Sequence, residues 1–289
     1  MRTNLLRVVW VTLPLTTAPA IDACLAPHSG PVRNVTVGLL AVSWGVALAA
    51  LAVARPLGLT ALRSAAPIAL GLATAAAASG RPSPPGALLA VVATAIAAIL
   101  AGSAEVGRWC AQGAAYGDEE RYPLRVPPAL LLTLIPLALA LLTLGIATGP
   151  LLLAARAWVP GLVALGVGVL LVVGTVRSLH PLSRRWAVIV PAGFVVHDPM
   201  TMSDPILFMR EHILGISAHP SGRPLPDGTL DLRLGASRTT AILRLDDEAP
   251  LGLRRRSTTV GTRAREVAFA PVLRDQLLAA CAGRRLPVA

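Results

Sequence analysis

Long charge-free apolar runs alternate with short polar breaks over the first 178 residues, and the pattern then changes. Six runs reach or approach the length of about 20 apolar residues that a helix needs to cross a bilayer. They cover residues 8–27, 35–54, 61–79, 86–103, 127–148 and 157–177. Residues 8–27 contain two internal prolines and Asp22 and follow Arg2 and Arg7. They read either as a signal peptide cut after Ala18-Pro19-Ala20 or as an uncleaved first helix. Pro14, inside what would be the apolar core of a signal, favours the helix. Pro136 predicts a kink in residues 127–148.

After Arg177 the period shortens from helical to alternating. Residues 186–190 and 193–198 flank a Val-Pro-Ala-Gly turn and read as a hairpin. Further β-rich runs fall at 206–209, 213–216, 230–234, 239–245, 251–254 and 265–269. Pro271, Leu273, Leu277, Cys281 and Gly283 then mark out an amphipathic helix. The predicted fold class is an α-helical transmembrane bundle followed by a small, mostly β soluble domain. The domains are residues 1–178 and 179–289.

About seven strands capped by one helix resemble a pleckstrin-homology-like (PH-like) barrel, of the kind that follows transmembrane helices in bacterial membrane proteins. The whole chain resembles uncharacterised actinobacterial multi-pass membrane proteins. The stretches that carry this are RRWAVIVPAGFVVHDPMTMSDPILF from Arg184 to Phe208, the AYGDEERYPLR loop and the N-terminal RVVWVTLPLT. That resemblance implies an architecture and no mechanism.

Composition agrees with lipid as a solvent. Charged residues make up 14% of the chain and hydrophobic ones 54%, whereas soluble domains carry roughly 25% charge. The net charge of +11 comes from 26 Arg with no Lys, which reflects a GC-rich codon bias as much as any partner. The lack of Lys removes P-loop, Ser-x-x-Lys and Schiff-base chemistry. A nucleic-acid role would want stacking aromatics beside the basic groups. The soluble part offers only Trp186 and three Phe.

The arginines also report topology. With alternating spans and the C-terminus inside, the inner segments hold Arg2, Arg7, Arg55, Arg63, Arg108, Arg121, Arg125, Arg177, Arg184 and Arg185. The outer ones hold Arg33, Arg81 and Arg156. This bias predicts a multi-pass plasma-membrane protein with both termini in the cytoplasm. It also places the polar segment 104–126, with Asp118, Glu119 and Glu120, on the same side as the C-terminal domain.

Motifs for catalysis are sparse. Arg210-Glu211-His212 lacks the second His of a zinc helix. His180, His197, His212 and His219 show no helical spacing and read as solvated or locally hydrogen-bonded. Cys24, Cys110 and Cys281 form no C-x-x-C pair and read as inert thiols. Ala41 to Gly45 falls one residue short of a G-x-S-x-G elbow, within a span that has no His to serve as base, so Ser43 reads as a packing serine. Glu119-Glu120 with Arg125 departs from the membrane-metalloprotease spacing. Asp22, Arg63, Glu105 and Arg156 all fall at predicted span ends, which leaves no mid-membrane charge to mark an ion path. No catalytic residue, metal or cofactor is predicted.

Two sets of interaction residues stand out. Gly86, Ala90, Thr94, Ala98 and Gly102 form a four-residue stripe suited to close helix packing. Ala164 and Gly168 repeat that spacing in the last span. Arg184, Arg185, Arg254, Arg255 and Arg256 are candidates for contact with anionic lipid headgroups or a protein partner at the inner face. The expected function is a non-enzymatic scaffold or binding protein at that face. The alternative is a transporter or permease-like component for a small or lipidic substrate.

Overall fold

The computed structural model describes residues 1–255 and 258–288. In chain order its helices and strands begin with α1 (Arg2–Leu25), α2 (Gly30–Ala52), α3 (Pro56–Ala78), α4 (Pro84–Ala101) and α5 (Ala104–Gln112). Strand β1 (Glu120–Pro123), α6 (Pro128–Leu132), α7 (Leu134–Ala154) and α8 (Trp158–Leu179) follow. The remainder is β2 (Trp186–Val190), β3 (Gly193–His197), β4 (Ile206–Met209), β5 (Ile213–Ala218), β6 (Leu230–Asp231), β7 (Ala241–Arg255), β8 (Thr258–Phe269) and α9 (Arg274–Gly283). Among the described residues six helices are long and apolar enough to cross a membrane.

The chain divides into two compact units, and the division is not a single cut at residue 178. Met1–Trp109 with Ile135–His180 form one, and Cys110–Leu134 with Pro181–Ala289 form the other. The difference arises because the segment between α4 and α7 supplies a strand to the second unit.

In the first unit α1 packs on α4, α4 on α3 and α3 on α2. Ala20 of α1, Ala73 of α3 and Ala90 of α4 meet in one small cluster. Side chains this short let helix backbones approach closely in lipid, where packing replaces the hydrophobic drive. α7 and α8 cross at glycines: a Cβ on Gly168 would collide with the Gly145 carbonyl, and one on Gly149 would lie 2.7 Å from Leu165 Cα.

Prolines lie inside α1 at Pro14 and Pro19 without breaking it. Pro14 has no N–H, so the Trp10 carbonyl one turn earlier loses its helical donor. Trp44 of α2 replaces it, its Nε1–H donating to Trp10 O at 2.8 Å. Trp10 returns the bond, Nε1–H to Trp44 O at 3.1 Å. Arg7 caps the end of α2, its Nε donating to Leu51 O at 3.1 Å. The same guanidinium lies 5.1 Å from the centre of the Trp109 ring. A cation there complements the negative helix end. α3 begins at Pro56, seven residues before Arg63. Arg63 therefore lies about two turns inside the helix, not at its end as the apolar run suggested.

The second unit holds two four-stranded sheets, ordered β1-β2-β3-β4 and β5-β7-β8-β6. All pairs are antiparallel except β6 with β8. Their inner faces share one core built on Tyr122, Ile189, Phe194, Val196, Phe208, Ile216, Leu243, Val267 and Phe269. Phe194 and Phe269 join the sheets with ring centres 5.5 Å apart. Leu277 and Cys281 of α9 are buried in that core. Among the described residues neither sheet closes on itself, so the closed barrel expected from element order does not form.

β1 is the element that the sequence pattern hides. It pairs with β2 from Glu120↔Ile189 to Pro123↔Trp186. Beyond it Arg125 N–H donates to Ala270 O and Val272 N–H to Pro123 O. The short segment thus joins the first sheet to the chain leading into α9. The two runs expected at 239–245 and 251–254 are one strand, β7, with a register shift between Arg244 and Ala249. That irregularity holds the acidic trio Asp246, Asp247 and Glu248. Beyond it β7 and β8 run on as a ribbon to Arg255↔Thr258.

Candidate functional site

The predicted basic residues have separate fates. Arg184 is exposed, one residue before a very different neighbour. Arg185 is 2% exposed. Its Nε and Nη2 donate to the two oxygens of Asp198 at 2.8 and 2.7 Å. Its Nη1 donates to the Arg125 carbonyl at 2.7 Å. Asp198 also accepts the Met200 N–H. All three nitrogens of the Arg185 fork donate to these partners and the group is out of solvent, so it is a structural clamp and not a headgroup contact. Arg254 is exposed, with one Nη donating to Pro199 O at 3.2 Å. Arg255 ends β7. Arg256 lies outside the described residues.

The ribbon beyond the β7 irregularity has two unlike faces, as strand alternation requires. Leu251 and Ala264 point to the core at 2% and 5% exposure. Pro250, Gly252 and Arg254 share the opposite face with their partners Arg263, Gly261 and Thr259. Residues 249–265 carry five Arg and no Asp or Glu. Arg263 is a functional candidate that sequence reading missed, because it is nine residues from Arg254 and only the strand register brings the two to one face. Among the described residues no carboxylate pairs with Arg254 or Arg263. At the base, by contrast, Asp246 accepts from His212 at 3.1 Å and Asp247 lies 3.6 Å from Arg265. The ribbon is thus neutralised at its root and basic beyond it.

The acidic run of the inter-helix segment is internally consumed. Arg284 bonds Asp118 at 2.6 Å and Glu120 at 3.1 Å, and Arg121 bonds Glu119 at 2.9 Å. Tyr122 donates its hydroxyl to Glu120 at 3.0 Å. The two Arg284 pairs fasten the segment around β1 to the end of α9. Among the described residues no three His, Cys, Asp or Glu gather as a metal-binding group.

Histidines are placed individually. His180 Nδ1 lies 3.1 Å from Thr60 Oγ1, and His219 Nε2 lies 3.3 Å from Arg223 O. His197 departs from the solvated expectation. Its ring stacks on Trp186 with centres 5.1 Å apart. Burial, assisted by Arg184 and Arg121 and opposed by Asp198, pushes its pKa down to about 4. Burial and the nearby Glu120 push the Cys281 thiol up to about 12, which keeps it protonated and unreactive. Ser43 lies on the exposed side of α2 rather than at a helix contact.

The small-residue stripe of α4 is only partly used. Ala90 and Thr94 are buried, at 1% and 2% exposure, but Ala98 is half-buried and Gly102 exposed. Gly86 approaches α1, where a Cβ would lie 3.6 Å from Pro19. A strict four-residue repeat drifts about 40° per step around a helix of 3.6 residues per turn. The buried row therefore continues through Ala97 and Ala101 instead. Gly168 lies at the α7–α8 crossing described above.

Compared with family models, curated proteins and solved structures, the chain matches none of them.

Proposed function

We propose that this chain is a non-enzymatic scaffold or binding protein at the inner face of the plasma membrane, whose sheet-rich unit engages anionic lipid headgroups. The observation that carries the reading is the β7–β8 ribbon, with Arg254 and Arg263 exposed on one face and no acid between residues 249 and 265. Arg184, exposed five residues after α8, adds a second basic point close in sequence to a membrane span. A basic residue near an anionic leaflet contributes about 1 kcal/mol. Three together are enough to bias a domain that is already tethered to the bilayer.

Topology supports the same side for all parts of this unit. α7 and α8 separate its two chain segments, and two crossings return the chain to the face it left. The arginine asymmetry favours the cytoplasm for that face. Two sheets around one core, followed by a helix, support a PH-like relationship in an open form. Transport gains little: the clustered contact of α1, α3 and α4 is alanine, and the buried Thr94 hydroxyl donates to its own helix at Ala90 O.

The test is hydrogen exchange on the full chain in nanodiscs of zwitterionic or anionic lipid. Amides of the ribbon from Leu253 to Val260 are expected to slow in anionic discs and to recover in high salt. Equal exchange in both lipids contradicts the reading.

A further inference from the structure

We propose that the outer face of the β7–β8 ribbon holds a shallow, open site for the phosphate of an anionic glycerophospholipid, with Arg263 as its main ligand. This rests on the headgroup reading above and makes it specific. A diffuse basic surface needs charge alone. This face also has shape.

Gly252 and Gly261 are cross-strand partners at the middle of the ribbon. Two glycines opposite each other remove both side chains from one row, which is open over Gly261 and bounded at Gly252 by the Ser203 hydroxyl and the Thr259 methyl. The result is an open trough of about 550 Å³, lined by Pro250, Leu251, Gly252, Gly261, Thr262 and Arg263. One row outward, Arg254 and Thr259 point to the same face. One row inward, Arg263 stands opposite Pro250. The floor thus lies between two guanidinium-bearing rows. Beside it Ser203 is pinned by its N–H to Gly252 O at 3.0 Å. Its hydroxyl sits where a Cβ on Gly252 would approach to 2.6 Å.

The chemistry selects the ligand. Guanidinium groups favour phosphate through planar, paired donors. A glycine floor lets the polar head of a phospholipid approach the backbone. A lipid source fits better than a free anion, because spans in the same chain hold the unit beside a surface where such phosphates are concentrated.

Gly261 supplies the discriminating variant. A Cβ there meets nothing within 4 Å, and its backbone is not in the left-handed region. Gly261→Val therefore fills the trough without altering charge or straining the strand. Arg263→Gln removes the ligand at an exposed position. The experiment titrates dihexanoyl-phosphatidylglycerol, below its micelle concentration, into the full chain in zwitterionic nanodiscs, with inorganic phosphate as a parallel probe. Thermal unfolding checks that both variants retain the fold.

Wild type is expected to saturate with the lipid. Gly261→Val and Arg263→Gln should each bind at least tenfold more weakly, and phosphate more weakly than lipid on wild type. Undiminished binding by Gly261→Val overturns the site. If the anionic discs still slow ribbon exchange in that case, the general headgroup reading survives; if they do not, both fall. Phosphate binding as tight as lipid binding overturns the lipid assignment.

Discussion

Trp10 and Trp44 exchange indole hydrogen bonds, each Nε1–H donating to the other's backbone carbonyl at 3.1 and 2.8 Å. The exchange answers a specific defect. Pro14 deprives the Trp10 carbonyl of its helical donor, and an unmet carbonyl in lipid is costly. Trp44→Phe should therefore destabilise the α1–α2 contact by about 1–2 kcal/mol. Pro14→Ala in the same chain should restore most of the loss, because residue 14 then supplies its own N–H. Thermal unfolding in one detergent, compared across the four chains of the double-mutant cycle, measures this. Equal losses with and without Pro14 would show that the indole bond is not serving that carbonyl.

The sheet-rich unit should not fold without its inserted strand. Tyr122 and Leu124 are 1% and 4% exposed in its core. Burying each is worth about 1.5–3 kcal/mol, against a typical domain stability of about 5–15 kcal/mol. A fragment of residues 181–289 is expected to lack dispersed amide resonances. The same fragment with residues 116–126 joined through a flexible linker should recover them. A well-dispersed spectrum from the short fragment would contradict the placement of β1.

The Arg185–Asp198 pair sits where the chain enters the sheets from α8, and it also holds the carbonyl of Arg125 on the way out to α7. Removing one partner of a buried pair strands the other and costs about 3–5 kcal/mol. Asp198→Asn should approach that loss. Arg185→Met with Asp198→Leu should be much milder than either single change. Denaturant unfolding of the full chain reads both, and an Asp198→Asn protein as stable as wild type would refute the clamp.

His197 predicts a pH slope. Its folded pKa of about 4 lies below its ordinary value of 6.5. Between those values the unfolded chain binds a proton that the folded chain refuses, so stability falls as pH drops through that window. The loss should reach roughly 1–2 kcal/mol, since the ring remains partly exposed and solvent screens it. His212 works in the opposite sense: Asp246 raises its pKa, so its contribution is present at low pH and is lost as pH rises through the folded value. The difference between wild type and His197→Gln at pH 7 and pH 5 isolates the first effect. A difference that does not change with pH would remove the buried, neutral imidazole from the account.

Local pattern predicted the elements whose determinants are local. Apolar length located six helices long and apolar enough to cross a membrane, because a bilayer selects on length and composition; the fifth runs Leu134–Ala154 rather than over 127–148, since the chain breaks at Thr133 after the short α6. Alternation and the Pro191-Ala192 turn located β2 and β3. β1 was illegible because Glu120, Arg121 and Pro123 resist a strand reading; pairing with residues some 65 positions later decides it. Arg185 looked like any juxtamembrane arginine, and only Asp198, 13 residues on, separates it from the exposed Arg184. Arg263 and the glycine pair needed the β7–β8 register. The α4 stripe misled at its far end because a repeat of four is not the period of a helix.

The most direct test places a reporter on the ribbon face. With Cys24 replaced by Ser, Cys110 and Cys281 remain buried, so Thr259→Cys offers a selective site for a fluorophore on the full chain. Nanodiscs containing headgroup spin-labelled lipid then report proximity. Strong quenching is expected in anionic discs, reversed by high salt and weakened by Arg254→Gln with Arg263→Gln. Quenching that is the same in zwitterionic and anionic discs, or absent from both, would contradict the headgroup reading.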